Sequence, residues 1–327
     1  MIPLESLAAV HLVIGAGEFL GDQVSHALAA EVPVIELNAD ADEETLNDAV
    51  GAVDVVLNCA QTWSPARRLR FRKSPPPLLK KIVEAARRAK VRRIVHVSTA
   101  DVFGPDQPGP LNEKSRLKPV HAYERLKLYE EQWLLESAAE DLEVVIVRPA
   151  RIFGEKEEWM LPRLMGALVK GRVWLPGGGR AKQTFVSAAD VGRACLAAAD
   201  RGRPGHTYLV GGFDSSWREL LESCIRAVGV GGTVVNLPYE LLYFRALAME
   251  TVTAPGAVVW PGIYATDVLG KPHFYDDSQS RRDLTWSPSV GSFEQEMPRM
   301  AGWLSRLPEV AAALGAASPT ATSPQGR

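Results

Sequence analysis

The sequence predicts an α/β fold, a doubly wound parallel sheet with a smaller C-terminal lobe. Two observations carry that expectation. Short runs of branched apolar residues alternate with amphipathic stretches of helical period as far as Pro149, the pattern of parallel strands joined by crossover helices. The first run ends in a glycine-rich turn, Gly15-Ala16-Gly17-Glu18-Phe19-Leu20-Gly21, that opens straight into a helix.

Taken in order, residues 10–14 read as a short strand, and the glycine turn leads into a helix through Ala30. Strand, turn and helix N-terminus are the parts of a dinucleotide pyrophosphate site, where amide hydrogens and the helix dipole meet the phosphates. Residues 32–37 form the next strand, 42–50 a short helix with an acidic first turn, and 54–59 a third strand. A helix over 75–90 starts on prolines, whose missing amide hydrogens cost little there. A strand from Arg92, a helix over 120–139 and a strand over 143–147 complete the alternation.

Beyond Arg148-Pro149 the texture changes. A helix over 157–170 precedes a glycine-rich stretch at 171–179, a strand at 183–186, a helix at 188–200 and a strand at 207–210 that returns to the main sheet. A helix over 216–228 follows, and the rest to about 307 mixes apolar helix with aromatic and proline-rich loops. The expected division is a dinucleotide-binding domain over 1–155 with 183–212 returning to it, and a substrate lobe from 156–182 and 213–310 closing over the strand ends. Residues 315–327 have the composition of a flexible tail.

Chemistry concentrates at residues 92–127, RRIVHVSTADVFGPDQPGPLNEKSRLKPVHAYERLK. Thr99 follows a buried strand, and Tyr123 and Lys127 lie four apart on one helix face. Moving a phenol from its free value to about 7 takes ~4 kcal/mol, roughly what one positive charge at ~4 Å supplies at an effective dielectric of ~20. The pair is therefore a candidate acid/base, although such a spacing also arises by chance, and Thr99 could equally be a helix cap.

Composition bounds the function. The 327 residues are 46% hydrophobic and 23% charged with a net charge of −2, which gives no general attraction to nucleic acid or anionic membrane. Cys59, Cys195 and Cys224 read as reduced, buried thiols of a cytoplasmic protein. The N-terminus lacks the pattern of a signal peptide. The apolar stretch at 237–265 is interrupted by charges and prolines and is not a membrane span. No His/Cys/Asp spacing points to a metal. His96 and His121 flank the chemistry and read as packed or capping residues. The run from Arg67 to Lys73 could attract a phosphate but is more often a solvated loop. Trp159, Trp174, Phe185, Tyr239, Tyr243, Phe244, Trp260 and Tyr264 are core by default, with some available to line an apolar pocket.

Seven motifs in order, IGAGEFLG, DVVLNCA, RRIVHVSTADVFG, YERLK, RPARIFG, QTFVSAADVG and SRRDLTWSP, resemble the extended short-chain dehydrogenase/reductase family. Its members include NAD-dependent sugar epimerases and dehydratases, dihydroflavonol reductases and 3β-hydroxysteroid dehydrogenases. The resemblance implies a Rossmann-type sheet, NAD or NADP as cofactor, a small-molecule substrate and a homodimer through the Tyr123 helix. It implies Thr99 as the residue that orients the substrate oxygen, Tyr123 as proton donor or acceptor, and Lys127 as the residue that holds the nicotinamide ribose and lowers the tyrosine's pKa. It also implies cofactor contacts from Gly15, Gly17, Phe19, Leu20 and Gly21 in the loop, and from Glu36 and Asp40 after it. Cys59 and Ala60, Tyr123 and Lys127, and Arg148 and Pro149 complete that set. Asp190 matches an acidic residue of structural role. The late segment resembles the steroid and dihydroflavonol branch more than the sugar-nucleotide branch.

Three departures stand out. Glu18 occupies a glycine position of the loop, where a carboxylate would repel a pyrophosphate unless turned outward. The chain between Ala30 and Asp54 is too short for two strands and a helix. Residues 32–37 are either the second strand, with Glu36 as ribose reader, or the third with the second deleted, with Asp40 on the adenine side, and motif alignment slightly favours the latter. The helical asparagine of the family's proton relay falls near Pro75 and is absent. The leading reading is an NAD(P)-dependent oxidoreductase for the ketone or secondary alcohol of a fairly apolar, perhaps cyclic, small molecule. Alternatives are a sugar-nucleotide epimerase or dehydratase, with Arg148, Arg163 and Arg172 as candidate diphosphate partners, and a fold relative without redox activity.

Overall fold

A computed structural model describes residues 9–61, 73–105, 107–138, 141–254 and 256–317. Its strands are β1 (His11–Ile14), β2 (Val34–Leu37), β3 (Val55–Asn58), β4 (Arg93–Val97), β5 (Glu143–Pro149), β6 (Arg151–Phe153), β7 (Arg172–Pro176), β8 (Lys182–Ser187), β9 (Thr207–Val210), β10 (Phe213–Ser216) and β11 (Thr233–Leu237). Its helices are α1 (Phe19–Ala29), α2 (Glu43–Gly51), α3 (Pro77–Ala89), α4 (Ala122–Glu136), α5 (Leu161–Val169), α6 (Ala188–Arg201), α7 (Trp217–Val228), α8 (Tyr239–Val252), α9 (Ile263–Gly270), α10 (Ser278–Leu284), α11 (Met297–Ser305) and α12 (Pro308–Ala317).

The main sheet has six strands in the order β2-β1-β3-β4-β5-β9, all paired in parallel. Alternate residues of β1 serve opposite faces. Val13 packs with α1 and α6 through Val24, Leu28 and Val191, while Leu12 and Ile14 pack with α2 and α3 through Leu46, Ile82 and Val83. Both faces are covered, which is why the strands read as unbroken apolar runs. A separate core gathers α5, β7, α7, α9 and α11 around Phe153, Phe185 and Trp217 and places the lobe beside the C-terminal ends of β4 and β5.

Several expectations are corrected. Residues 34–37 pair directly with β1, so they take the second-strand position of a doubly wound sheet, and the missing strand is the outer third one. The stretch at 171–179 contains β7, paired in parallel with β11; its glycines sit at the ends and mask the strand. β8 pairs with β6 and β10 instead of joining the main sheet, whereas β9 does pair with β5. The helix expected over 157–170 starts at Leu161, because the Glu157 carboxylate accepts hydrogen bonds from the amides of Trp159, Met160 and Leu161 ahead of it. α12 runs to Ala317, into the stretch expected to be a tail; residues 318–327 lie outside the described residues. Arg67 to Arg72 of the basic run lie outside them too. Among the described residues no helix is long and apolar enough to cross a membrane.

Candidate active site

The C-terminal ends of β1, β3, β4 and β5 and the start of α1 open into a cleft of about 380 Å³ that the lobe closes from the far side. Order reverses between β1 and β3, so the chain leaves those two strands in opposite directions and a crevice opens at their ends. The glycines fit this crevice. Gly15 turns with φ +100°, and a Cβ there would lie 2.8 Å from the Ala60 backbone. A Cβ on Gly21 would lie within covalent range of the Gly15 carbonyl oxygen. These glycines let β1, α1 and the turn after β3 approach closely, leaving the amides of the first helical turn available to the cleft.

On the catalytic side the strand and helix bring Thr99, Tyr123 and Lys127 together along the cleft. Thr99 caps a short 3₁₀ turn over Ala100–Phe103, its hydroxyl oxygen accepting from the Asp101 amide at 3.1 Å. The cap reading and the functional reading are thus both met, since the hydroxyl proton remains free to face a ligand. Lys127 Nζ donates to the Val97 carbonyl at 3.2 Å and to Glu130 Oε2 at 2.8 Å. Tyr123 is 8% exposed, its ring 5.4 Å from that of Tyr264.

Burial first, then the charges of Asp101 and Glu130, push Tyr123 above its ordinary value. Glu130 is itself paired with the Lys127 ammonium at 2.8 Å. Beside the phenol, Arg151 forms a two-bond ion pair with Asp101, at 2.9 and 3.1 Å, and the Tyr264 hydroxyl donates to the same carboxylate. Burial works against ionising Asp101, but the Arg151 guanidinium outweighs it and holds the carboxyl below its usual range. Asp101 and Arg151 lie in two of the motifs quoted above, but nothing in either motif pairs them. They meet across a separation of 50 residues, so only the fold brings them together.

On the dinucleotide side Phe19, Leu20, Cys59, Ala60 and Pro149 line the cleft, with Gly15, Gly17 and Gly21 in the turn behind them. Glu18 is not turned out to solvent. It is half-buried, and its Oε2 accepts from the Gln61 amide at 2.7 Å, joining the α1 entrance to the turn after β3. Burial raises its pKa. Glu36 and Asp40 are exposed, and neither lines the cleft. The residue at the exit of β2 is Asn38, whose Oδ1 lies 3.2 Å from where a Gly17 Cβ would stand. Asn38 carries no acid and so lacks the usual signal of a ribose reader; it is the first residue past β2. Arg148 is a second correction. It is buried, bonds Glu131 at 2.5 and 2.9 Å, and stacks over Phe103 instead of lining the cleft.

The lobe supplies apolar walls: Phe153, Met160, Leu161, Trp159, Trp217 and Tyr264. Trp159 stacks on Tyr264 at 5.3 Å and meets Trp260 edge-on. Arg163 also borders the cleft but lies 5.4 Å over the Trp260 ring and donates to the Glu158 carbonyl, and Arg172 is exposed on β7. Of the remaining aromatics, Phe185 is core, while Trp174 and Phe244 are exposed. His96 is packed inside β4 against Asn58, and His121 precedes α4 with its Nε2 2.8 Å from Asp267. Asp190 binds the amides of Ser289 and Val290, a structural role. All three cysteines are free and buried.

Comparison with known proteins agrees with this architecture. The model of the NAD dependent epimerase/dehydratase family matches residues 11–211. A 4-hydroxy-2-methyl-3-oxo-4-farnesyl-3,4-dihydroquinoline-1-oxide ketoreductase of Stigmatella aurantiaca is 28% identical over 255 residues, covering 76% of each chain. Sterol demethylase protein B of Methylococcus capsulatus is 29% identical over 220 residues, 64% of this chain and 65% of that one. The UDP-glucuronic acid 4-epimerase of Bacillus cereus, solved with UDP-glucuronic acid and NAD, shares the fold at a TM-score of 0.70 and 18% identity, over 91% of this chain and 99% of that chain.

Proposed function

The chain belongs to the NAD-dependent epimerase/dehydratase family, and within it we propose that it is a nicotinamide-dependent ketoreductase for a fairly apolar small molecule. The observation that carries this reading is the wall of the cleft beyond Tyr123, made of Phe153, Met160, Leu161, Trp159, Trp217 and Tyr264. Such a wall gains from burying hydrocarbon and offers a diphosphate little. Arg148 is committed to Glu131 and Arg163 is spread over Trp260. The farnesylated ketone named for the Stigmatella relative is a substrate of the same character.

The site's residues divide the work. The Gly15–Gly21 turn and the first turn of α1 would hold the phosphates, and Cys59, Ala60 and Pro149 would flank the nicotinamide half. When bound, the cofactor supplies hydride chemistry at its nicotinamide ring. Thr99 would donate a hydrogen bond to the substrate carbonyl oxygen, and Tyr123 passes its phenolic proton to that oxygen as charge develops there. Lys127, fixed by Val97 and Glu130, keeps its third hydrogen for the ribose or for the phenol. Trp159 and Tyr264 exclude water from the reacting carbon.

The test is a reductase assay with NADH and NADPH, offering cyclic and prenylated apolar ketones alongside UDP-sugars. Turnover of apolar ketones, with none of the UDP-sugars converted, is the expected result. Interconversion of UDP-hexoses with no net change in dinucleotide would replace this reading by the epimerase one.

A further inference from the structure

The chain between β6 and α5, residues 154–160, runs as a strap that touches α1 at one end and the substrate wall at the other. At its start Gly154 lies on Phe19, where a Cβ would come within 3.4 Å of the ring. At its far end the Glu157 carboxylate gathers the amides of Trp159, Met160 and Leu161, and Trp159 joins the wall of the cleft. Between these anchors Lys156 takes a backbone φ of +68°. For a residue with a Cβ that left-handed conformation is unfavourable and persists only where its surroundings impose it. Its ammonium meets Asp22 on α1, Nζ to Oδ2 at 2.5 Å.

The same carboxylate has a second partner. Asp22 Oδ1 accepts from the Gly17 amide at 2.7 Å, inside the turn whose amides suit a phosphate. An anion is thus seated at the glycine turn, and the strap's cation is its counter-charge. Glu155, Glu157 and Glu158 accompany Lys156 in the strap and Glu18 heads α1, so the ammonium stands out from its neighbours by sign. Its side chain is still 52% exposed and that of Asp22 20%, which leaves the ammonium open to a second anion. We propose that Asp22 is a built-in stand-in for phosphate, and that Lys156 is the cation the strap contributes to the pyrophosphate of the dinucleotide. On binding, the pyrophosphate takes over the Gly17 amide and the Lys156 ammonium, and Asp22 competes with it for both. The strap then couples dinucleotide to substrate, because Trp159 lies three residues beyond Lys156 on the same short segment. The inference deepens the dinucleotide half of the reading above and rests on it, and it is independent of which substrate is reduced.

The two members of this one ion pair should therefore act in opposite directions. A clasp that only held the strap in place would lose the same contact from either side, and both substitutions would move affinity together. The measurement is NADH affinity by fluorescence titration of the full-length protein at low salt, with no ketone present. Lys156→Met keeps the length of the side chain and should weaken NADH about three- to tenfold, the size of one partly screened charge, and flatten the fall of affinity with added salt. Asp22→Asn keeps the shape but not the charge and should tighten NADH about two- to fivefold. Lys156→Arg retains the cation and should stay within about twofold of the wild type. If Asp22→Asn does not fold, Asp22→Ser with the same readout replaces it. A Lys156→Met variant that binds NADH no more weakly, or a neutral Asp22 variant that binds it no more tightly, overturns the proposal. Because no ketone enters the measurement, the ketoreductase reading can fail while this one stands, and the reverse.

Discussion

Thr99, Tyr123 and Lys127 line one side of the cleft with at most 9% of their surface exposed, whereas across it Glu18 is half-buried, and Asn38, outside the lining, is exposed. The first group is held by packed structure, through the Val97 carbonyl on β4, the Asp101 amide and the ring of Tyr264 on α9. The second hangs on turns, with Glu18 tied to the Gln61 amide. This difference explains where the chain departs from its family's pattern. A change among Thr99, Tyr123 and Lys127 would leave a cavity or an unpaired buried group and be felt in folding. A change at Glu18 or Asn38 is absorbed by solvent and by one hydrogen bond, so these positions are free to alter how a dinucleotide is held without touching stability.

The sharpest way to break the contrast is Tyr123→Phe. If the buried side carries the chemistry, this variant loses about a thousandfold or more in ketone reduction, while dinucleotide affinity, followed by NADH fluorescence, stays close to wild type. An affinity loss that matched the loss of turnover would show the two sides to be one unit. Arg151→Met probes the same side through stability. It strands Asp101 as a buried charge, and unfolding in urea should show a loss of about 3–5 kcal/mol at neutral pH. The sign with pH is also fixed. In the wild type Asp101 titrates below its unfolded value, so its contribution is complete above the ordinary carboxylate range and is lost as pH falls through the depressed one. In Arg151→Met the uncompensated carboxyl prefers its proton, and stability should instead rise as pH falls.

Legibility in the sequence follows the same line. β1, β3, β4 and β5 were readable because burial on both faces writes an unbroken apolar run, and α1 because the Gly15–Gly21 turn stands at its head. β7 was hidden by Gly171 and Gly177–Gly179 at its two ends, and the second-strand position of residues 34–37 depends on which neighbour they pair with, which no local pattern encodes. In the site, Tyr123 and Lys127 were visible from helical spacing. The same rule applied once more would have exposed Glu130, three residues beyond Lys127 on the same face, as the ammonium's partner. The Asp101–Arg151 pair and the Arg148–Glu131 pair are contacts between distant segments and could only come from the fold.

The dinucleotide side offers smaller effects. Glu18 lies at the head of α1, where a pyrophosphate gains most from amide hydrogens and the helix dipole, and an ionised carboxylate there competes with it. Glu18→Gly should tighten NADH binding by about three- to tenfold, the size expected for one partly screened like charge. Because burial raises the Glu18 pKa, wild-type affinity should weaken as pH rises through that raised value and the carboxyl ionises. The glycine variant should lose this slope, measured by fluorescence titration at one pH within the ordinary carboxylate range and one well above it, to within the residual titration of the ligand. A variant with unchanged affinity at both pH values would mean that the Gln61 hydrogen bond already steers Glu18 away from the phosphates.

Asn38 carries the finest distinction. At the exit of β2, beside Gly17, it stands where an acid would accept hydrogen bonds from an adenosine ribose and repel a 2′-phosphate. An amide accepts one such bond through its oxygen and repels nothing, so wild-type Asn38 should discriminate little between NADH and NADPH. Asn38→Asp adds a charge to an exposed residue, where solvent screens most of it. The expected change is accordingly modest, about threefold in the NADH to NADPH affinity ratio, arising mainly from weaker NADPH binding. Glu36 is the control, because it carries the acid that the sequence offered but stands inside the strand and not at its exit. Glu36→Gln should leave the ratio where it is. If it is Glu36→Gln that moves the ratio and Asn38→Asp that does not, the ribose lies along the strand instead of at its exit, and the dinucleotide side of the cleft has to be redrawn from β2 outward.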